Sequence, residues 1–386
     1  MIKRDVNILK SHSFFLFGAR GTGKTSYLKE LFSKEKDILW IDLLEPSKEL
    51  EYIKRPEKLI DDVNAHSGLS WVIIDEVQKV PKILDVVHKI IEERKIKFAL
   101  TGSSARKLKY GGANLLAGRA FSYNLYPFSY LELNNLFSLH DLLSYGSLPI
   151  LLTFDQEIEK KKFLESYCLK YLKEEVFLEQ LVRKTDGFRI FLEIAARENT
   201  NCINYSKIAR DIGIDYQTVK TFYEILEDTL IVNKLNYYHK SLRKQQLKQP
   251  KYYFFDCGVL RFLNGNINGP LNEGSYEYGK VFETFIIQEI IKQNSYLNKN
   301  FKLSYLKTNN GFEVDLIIER YGKKDLFIEI KSSRSSENLK ISSFIKFKEE
   351  NPEFDYMCLY NGNSATNLKG LDILPWRIAI DRIFNS

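Results

Sequence analysis

Cysteine is scarce and scattered. Cys168, Cys202, Cys257 and Cys358 are the only four among 386 residues, and no two form a Cys-x-x-Cys pair. Neither a disulfide framework nor a zinc site is indicated, and a reducing, cytoplasmic setting is expected. Long apolar runs are missing as well. The run Phe14 to Phe17 is short and follows the polar Ser11-His12-Ser13, and no stretch approaches the roughly 18 uncharged apolar residues that span a bilayer. Neither a signal peptide nor a membrane partner is expected. Charge of one sign does not dominate: 57 Lys and Arg stand against 50 Asp and Glu, a formal net charge of +7. Diluted over the whole chain, that excess permits contact with an anionic polymer without selecting one. The length predicts two or three domains with ample core.

What is present begins at residue 13. Ser13 to Phe17 reads as a short buried strand because it is an aromatic-rich run that stops at Gly18. Gly18-Ala19-Arg20-Gly21-Thr22-Gly23-Lys24-Thr25 follows, and then Ser26 and a helical pattern carried by Leu28, Leu31 and Phe32. Strand, glycine loop and helix is the context a phosphate-binding loop requires. Glycines let backbone N–H groups point inward, the helix start adds positive potential, Lys24 reaches outer phosphates, and the Thr25 hydroxyl ligates magnesium.

Trp71 to Ile74 is a second apolar strand, ending in Asp75-Glu76. In such a pair the first carboxylate holds the magnesium shell and the second orients the attacking water. Asp37 to Leu43 and Lys97 to Gly102 read as two more strands, and strands alternating with helices predict a parallel sheet covered on both faces. Asp75, Thr101 and Ser103 then fall at the carboxyl ends of strands, where ligands sit. Thr101 or Ser103 either senses the outer phosphate or caps the next helix.

The combination of Gly18 to Thr25, Ile73-Ile74-Asp75-Glu76-Val77-Gln78, Leu100 to Arg106, Leu116-Ala117-Gly118-Arg119 and Tyr126-Pro127-Phe128-Ser129 resembles bacterial and archaeal AAA-superclass ATPases that carry a C-terminal domain of uncharacterised function. The resemblance implies ATP and Mg2+ as cofactors, Asp75 and Glu76 as magnesium and water residues, and an ATPase domain that closes near residue 135. It leaves Arg119, and more weakly Arg106, as arginines able to stabilise transition-state charge, against the plainer reading of a surface ion pair. It also leaves room for a homo-oligomer.

From about residue 136 helical periodicity takes over, with Leu142, Leu143, Phe163, Leu164, Tyr167, Tyr171 and Leu172 as apolar positions and Gly146 to Pro149 as a break. Ile208 to Val219 has the spacing of a helix-turn-helix: Ala209 permits close approach, Gly213 makes the turn, and Ile214 and Val219 pack the second helix. Thr229 to Tyr238 then supplies the first strand of a wing, followed by Lys240, Arg243, Lys244, Lys248 and Lys251. Read functionally, Gln217, Thr218 and Lys220 enter a DNA groove and the basic wing meets phosphates. Read structurally, the lysines are a solvated face and the module an interaction or lid domain.

Beyond an Asn- and Gly-rich stretch from Gly265 to Gly274, Glu283 lies on a helix beside an apolar stripe of Phe282, Phe285 and Ile286. Two strands follow, one carrying Glu313-Val314-Asp315 and the other Glu329-Ile330-Lys331, joined by the turn Tyr321 to Lys324. In an antiparallel pair Asp315 and Glu329 become neighbours, and Lys331 shares a face with Glu329. This pattern resembles the restriction-endonuclease-like fold, although Val314 stands where restriction enzymes commonly have proline. The resemblance implies Asp315 and Glu329 as metal ligands with Glu283 as a further one, and Lys331 as the group that activates water; the alternative is a buried ion-pair network. Leu374-Pro375-Trp376 reads as an edge strand and tail.

The expected fold class is therefore α/β. A parallel-sheet ATPase domain spans 1–135, a helical and winged-helix domain 136–250, and a restriction-endonuclease-like domain 251–386. The expected function is ATP hydrolysis coupled to DNA binding, with metal-dependent cleavage of DNA as an open question. The alternative is an ATP-driven switch whose inactive nuclease-like tail recruits proteins or DNA.

Overall fold

The computed structural model describes residues 2–103, 116–134, 136–171, 185–239, 241, 248–337 and 339–385. Arg106, Leu172, Lys240, Arg243 and Lys244 lie outside the described residues.

Strands β1 (Ser13–Phe17), β2 (Ile38–Asp42), β3 (Trp71–Asp75), β4 (Lys97–Gly102) and β5 (Ala120–Asn124) form one sheet in the order β2-β3-β4-β1-β5. Every neighbouring pair is parallel. Both faces are covered, which is why β1 and β3 read as unbroken apolar runs rather than alternating ones. One face buries Phe15, Phe17, Val72 and Ile74 under α2 (Pro46–Lys54), α3 (Lys58–Asn64) and α4 (Ile83–Glu93). The other buries Phe14, Leu16 and Ile73 against Leu28 and Phe32 at α1 (Lys24–Leu31). Each such side chain contributes about 1.5–3 kcal/mol by leaving water.

Next come α5 (Tyr130–Leu133), α6 (Leu139–Tyr145), a 3-10 segment (Pro149–Thr153), α7 (Glu157–Ser166) and α8 (Thr185–Arg197). The pair α9 (Tyr205–Ile212) and α10 (Tyr216–Asp228) has the expected turn, where Gly213 takes φ 78° and its N–H reaches the Ala209 carbonyl at 2.9 Å. Asp215 caps α10, accepting both the backbone N–H and the hydroxyl of Thr218. Strands β6 (Val232–Tyr237) and β7 (Lys251–Phe254) pair antiparallel, forming one hairpin across the boundary drawn at residue 250.

After α11 (Cys257–Leu263) and the long helix α12 (Tyr276–Tyr296) come β8 (Lys302–Lys307), β9 (Glu313–Glu319), β10 (Leu326–Lys331), α13 (Ser342–Glu350), β11 (Asp355–Tyr360), β12 (Thr366–Leu368), β13 (Leu371–Pro375) and α14 (Trp376–Asn385). Their sheet runs β12-β13-β11-β10-β9-β8-β6-β7, so the hairpin of the middle segment continues it. The expected edge strand and tail at Leu374 to Trp376 is corrected. β13 lies inside the sheet between β11 and β12, and Trp376 opens a helix that buries Ala379, Ile380 and Ile383.

Helix α12 is packed nearly all round, and it buries Gln288, Glu289, Lys292 and Gln293 along with its apolar side chains. Near its C-terminal end it is tied to the chain that leaves β5. Lys292 Nζ donates to the Phe128 carbonyl at 3.0 Å and to Glu289 at 2.7 Å, Glu289 accepts the Tyr130 N–H at 3.0 Å, and the Tyr296 hydroxyl accepts the Tyr126 N–H at 3.2 Å. A buried ammonium–carboxylate pair of this kind is tolerable because its remaining lone pairs and protons are met by backbone groups. No helix is long and apolar enough to cross a membrane, among the described residues.

Candidate functional site

Parallel pairing brings Gly18, Asp75 and Thr101 to one end of the first sheet. Gly18 closes against the Leu125 carbonyl, where any Cβ would collide, and Gly23 enters α1 at φ 91°, a left-handed conformation that favours glycine. The chain between them therefore curls around the start of α1. Lys24 is buried, with Nζ 2.8 Å from the Gly18 carbonyl and 3.9 Å from Glu76 Oε1.

Asp75 is fully buried. The Thr25 hydroxyl donates to its Oδ2 at 2.6 Å, and the Thr101 hydroxyl donates to its Oδ1. Burial pushes the Asp75 carboxyl up from its ordinary range, and the two hydroxyls pull against that rise. Oxygen donors from one threonine and one carboxylate, beside a loop built for phosphate, fit a magnesium ion, which takes few protein ligands and completes its shell with phosphate and water.

Thr101 also accepts the Glu76 N–H at 2.9 Å. Glu76 sits at φ 60°, a left-handed conformation that costs a non-glycine residue of order 1–3 kcal/mol and tends to persist at functional sites. Gln78 donates to Glu76 and, at 3.0 Å, to the Ser103 hydroxyl. Of the two readings for Thr101 and Ser103, the structure gives Thr101 a positioning task on Asp75 and Glu76, and places Ser103 on Gln78. Gln78 was not among the candidate residues. Its place in the Asp75-Glu76-Val77-Gln78 run, on the turn that follows a buried strand, was the available signal.

Arg119 requires a correction. It precedes β5, and the register Ser13 to Ala120 puts it at the end of the sheet opposite the phosphate loop, which follows Phe17 beside Asn124. Its guanidinium pairs with Glu92 at 2.5 Å near the end of α4. It cannot reach phosphates bound by its own chain.

The middle segment covers the loop. The Tyr167 hydroxyl donates to the Arg20 carbonyl at 2.8 Å, and a Cβ on Gly21 or Gly23 would lie 3.5 Å from Tyr167 or 3.6 Å from Pro149. On α10 the exposed N-terminal end presents Tyr216, Gln217 and Lys220. Thr218 is engaged by Asp215 instead, and Lys248 lies 5.7 Å from the Tyr237 ring.

Lys251 is a second correction. Expected in a basic loop that either meets phosphates or is solvated, it is buried on β7, where its ammonium pairs with Glu313 and lies 3.8 Å from Glu283. These carboxylates, with Asp315, hold its proton more tightly than usual although burial alone would loosen it. Tyr253 donates to Glu283 at 2.7 Å, and Lys307 pairs with Glu313 at 2.9 Å.

On the same strand as Glu313, Asp315 accepts the Ile330 N–H of β10 at 2.8 Å; on β10 Lys331 pairs with Glu329 at 2.6 Å, while Glu329 Oε2 is buried without a hydrogen-bond partner. Burial, sharpened by the nearby Asp315, raises Glu329 to about 8 and Glu283 to about 7. The structure thus brings Asp315, Glu329 and Lys331 together as expected. It does not converge three carboxylates on one ion: among the described residues no group of three His, Cys, Asp or Glu side chains is arranged to hold a metal. As placed, Glu283, Asp315 and Glu329 do not fit a shared ion; two lysine ammoniums lie among them instead.

Residues 10–134 match the family described as "AAA domain". Residues 136–268 and 278–379 match two families described as domains of unknown function, DUF8612 and DUF4143. Uncharacterized proteins of Mycobacterium tuberculosis and Mycobacterium bovis are each 27% identical over 319 residues, covering 80% of this chain and 68% of theirs. The Aeropyrum pernix ORC1 protein in complex with DNA is 10% identical, covers 67% of this chain and 87% of its own, and superposes with a TM-score of 0.27. AMPPCP-bound DnaA from Aquifex aeolicus is 12% identical, covers 56% and 82%, and has a TM-score of 0.29. Likeness that loose carries no argument about activity. The chain carries an AAA-type phosphate-loop domain at its N-terminal end.

Proposed function

We propose that this chain is an ATPase. The observation that carries the reading is the Thr25–Asp75 hydrogen bond at 2.6 Å, which sets a magnesium-type donor pair at the foot of a glycine loop. When bound, magnesium would neutralise charge on the outer phosphates, held by Thr25 and Asp75. Residues Gly18 to Ser26 bind the phosphates through backbone N–H groups and the helix start, and Lys24 moves from the loop carbonyls onto them. Glu76, fixed by Gln78 and by the strained turn, orients and deprotonates water. With Mg2+ and ATP the protein is expected to release phosphate. Lys24→Ala and Glu76→Gln should each cut the rate at least about 100-fold, the scale of losing one preorganised group; undiminished release sinks the assignment.

Hydrolysis is proposed to act on the middle segment, because Tyr167 and Pro149 rest on the loop that must receive the phosphates. The exposed end of α10 is the surface we assign to DNA. Cleavage of DNA by Asp315, Glu329 and Lys331 is a second reading, favoured by the unpartnered Glu329 Oε2 and opposed by the lysines among the carboxylates. Single-stranded, duplex and branched DNA incubated with Mg2+ or Mn2+ should yield products that vanish in Asp315→Ala. Intact DNA throughout leaves the recruiting scaffold as the role of this end.

A further inference from the structure

Strand β7 carries Lys251 and Tyr253 two positions apart, hence on one face of the strand, and both reach Glu283 of α12. The Tyr253 hydroxyl donates to Glu283 Oε1 at 2.7 Å, and the Lys251 ammonium lies 3.8 Å from the same oxygen. That ammonium also pairs with Glu313, lies 5.2 Å from the Tyr305 ring centroid, and is the positive charge that acts most strongly on Asp315. Its side chain is 1% exposed. A lysine of the β6–β7 hairpin is thus the point around which Glu283, Glu313 and Asp315 gather, although these acids come from a helix and a strand that lie later in the chain.

We infer that Lys251 is the resident cation of this cluster: its ammonium takes the position a divalent ion would need among Glu283, Glu313 and Asp315, so the unaltered chain accepts no divalent ion there, and a chain without the ammonium accepts one. An ammonium is a compact point charge with three N–H donors, which suits a position ringed by carboxylate oxygens. A divalent ion needs such oxygens on several sides at about 2.0–2.6 Å, and it cannot gather them while Nζ stands among them. Charge gives the same answer. Lys251, Lys307 and Lys331 stand against Glu283, Glu313, Asp315 and Glu329, which leaves one negative charge when every group is ionised, half of what a divalent ion neutralises. Without Lys251 two remain. Nor is the ammonium free to swing into water, because β7 is held from Lys251 onward by its pairing with β6 and the side chain is shut off from solvent. The inference is independent of the ATPase reading. It bears against metal-dependent cleavage by Asp315, Glu329 and Lys331, and for the recruiting scaffold.

The test is titration of the full chain with Mn2+ alone, followed by calorimetry and by the melting temperature; any Mn2+ taken by Thr25 and Asp75 is common to every arm. The unaltered chain and Asp315→Asn should take up the same number of ions. Lys251→Ala should gain one ion per chain, which the double variant Lys251→Ala with Asp315→Asn loses. Because that ion binds only the folded chain, Mn2+ should raise the melting temperature of Lys251→Ala by more than that of the unaltered chain. Lys251→Arg, which keeps a cation in place, should gain none. An ion that the unaltered chain holds and Asp315→Asn loses overturns the inference, and so does a folded Lys251→Ala that gains no ion. If Lys251→Ala does not fold, the comparison of the unaltered chain with Asp315→Asn decides by itself. None of these readouts uses ATP or DNA, so a failure here leaves the ATPase reading standing.

Discussion

Asp75 and Asp315 are both carboxylates on strands, the first buried and the second half-buried, and their surroundings differ in kind. Asp75 is met by the neutral hydroxyls of Thr25 and Thr101. Asp315 is met by a backbone N–H and faces the ammoniums of Lys251 and Lys331 across a group of other carboxylates. Neutral donors stabilise an anion without cancelling its charge, so Asp75 still attracts a cation. Ammoniums cancel the charge within the protein. One site is organised to receive a positive ion, whereas the other already holds its own.

The largest expected break in this comparison is Lys251→Met. Removing the ammonium leaves the half-buried Glu283 and Glu313 without their shared buried partner, and losing one member of a buried ion pair costs up to about 3–5 kcal/mol. Urea denaturation should show that loss as a lower midpoint. A change below about 1 kcal/mol would mean that the cluster is wet and its charges already screened.

A smaller effect concerns pH. An unfolded glutamate titrates near 4.3, whereas burial and Asp315 raise Glu283 to about 7 and Glu329 to about 8. Between about pH 5 and those values the folded chain keeps protons that the unfolded chain has released, so stability falls as pH rises, by at most about 1.4 kcal/mol per pH unit per group. Asp75, Glu132 and Asp256 are raised too and act in the same direction. The difference between the unaltered protein and Glu329→Gln isolates this group: in EDTA the variant should show a shallower decline in melting temperature from pH 5 to 8. Parallel curves would place Glu329 in an ordinary solvated state.

The smallest effect is expected of Arg119→Ala. It removes a part-exposed ion pair, worth about 0–1 kcal/mol, and should leave phosphate release within about two-fold of the unaltered rate. A loss approaching 10³-fold, the scale on which an arginine supplied in trans acts, would instead place Arg119 against the phosphates of a neighbouring copy.

The phosphate loop was legible because its chemistry is contiguous. Eight consecutive residues carry the backbone donors, the cation and the hydroxyl, and the buried strands on which the motif depends are unbroken apolar runs. Asp75 and Glu76 were legible for the same reason. Lys251 was not, because it was read with Lys248 as part of a basic loop, and only the pairing of β7 with β6 and the packing of α12 bury it among acids 30 and more residues later in the chain. The burial of Arg4 was likewise invisible, since its partners Tyr126, Glu132 and Tyr296 come from distant segments. Arg119 was misplaced because a motif gives sequence neighbours, whereas the direction of β5 decides which end of the sheet it occupies. The helix after Pro375 was readable in principle: Trp376, Ala379, Ile380, Ile383 and Phe384 repeat at helical spacing.

The β6–β7 hairpin has a mechanical meaning. Its first strand follows directly on α10, and the same strand is hydrogen-bonded to β8 through Asn236 and Tyr237. Sheet hydrogen bonds do not stretch appreciably, so on the proposed reading any movement passed to α10 would carry the Asp315 cluster with it. A nucleotide cycle that tilts this pair through Tyr167 would change where it points, not its span. If DNA is held at α10 as proposed, the pairing of β6 with β8 would keep it at one offset from the cluster.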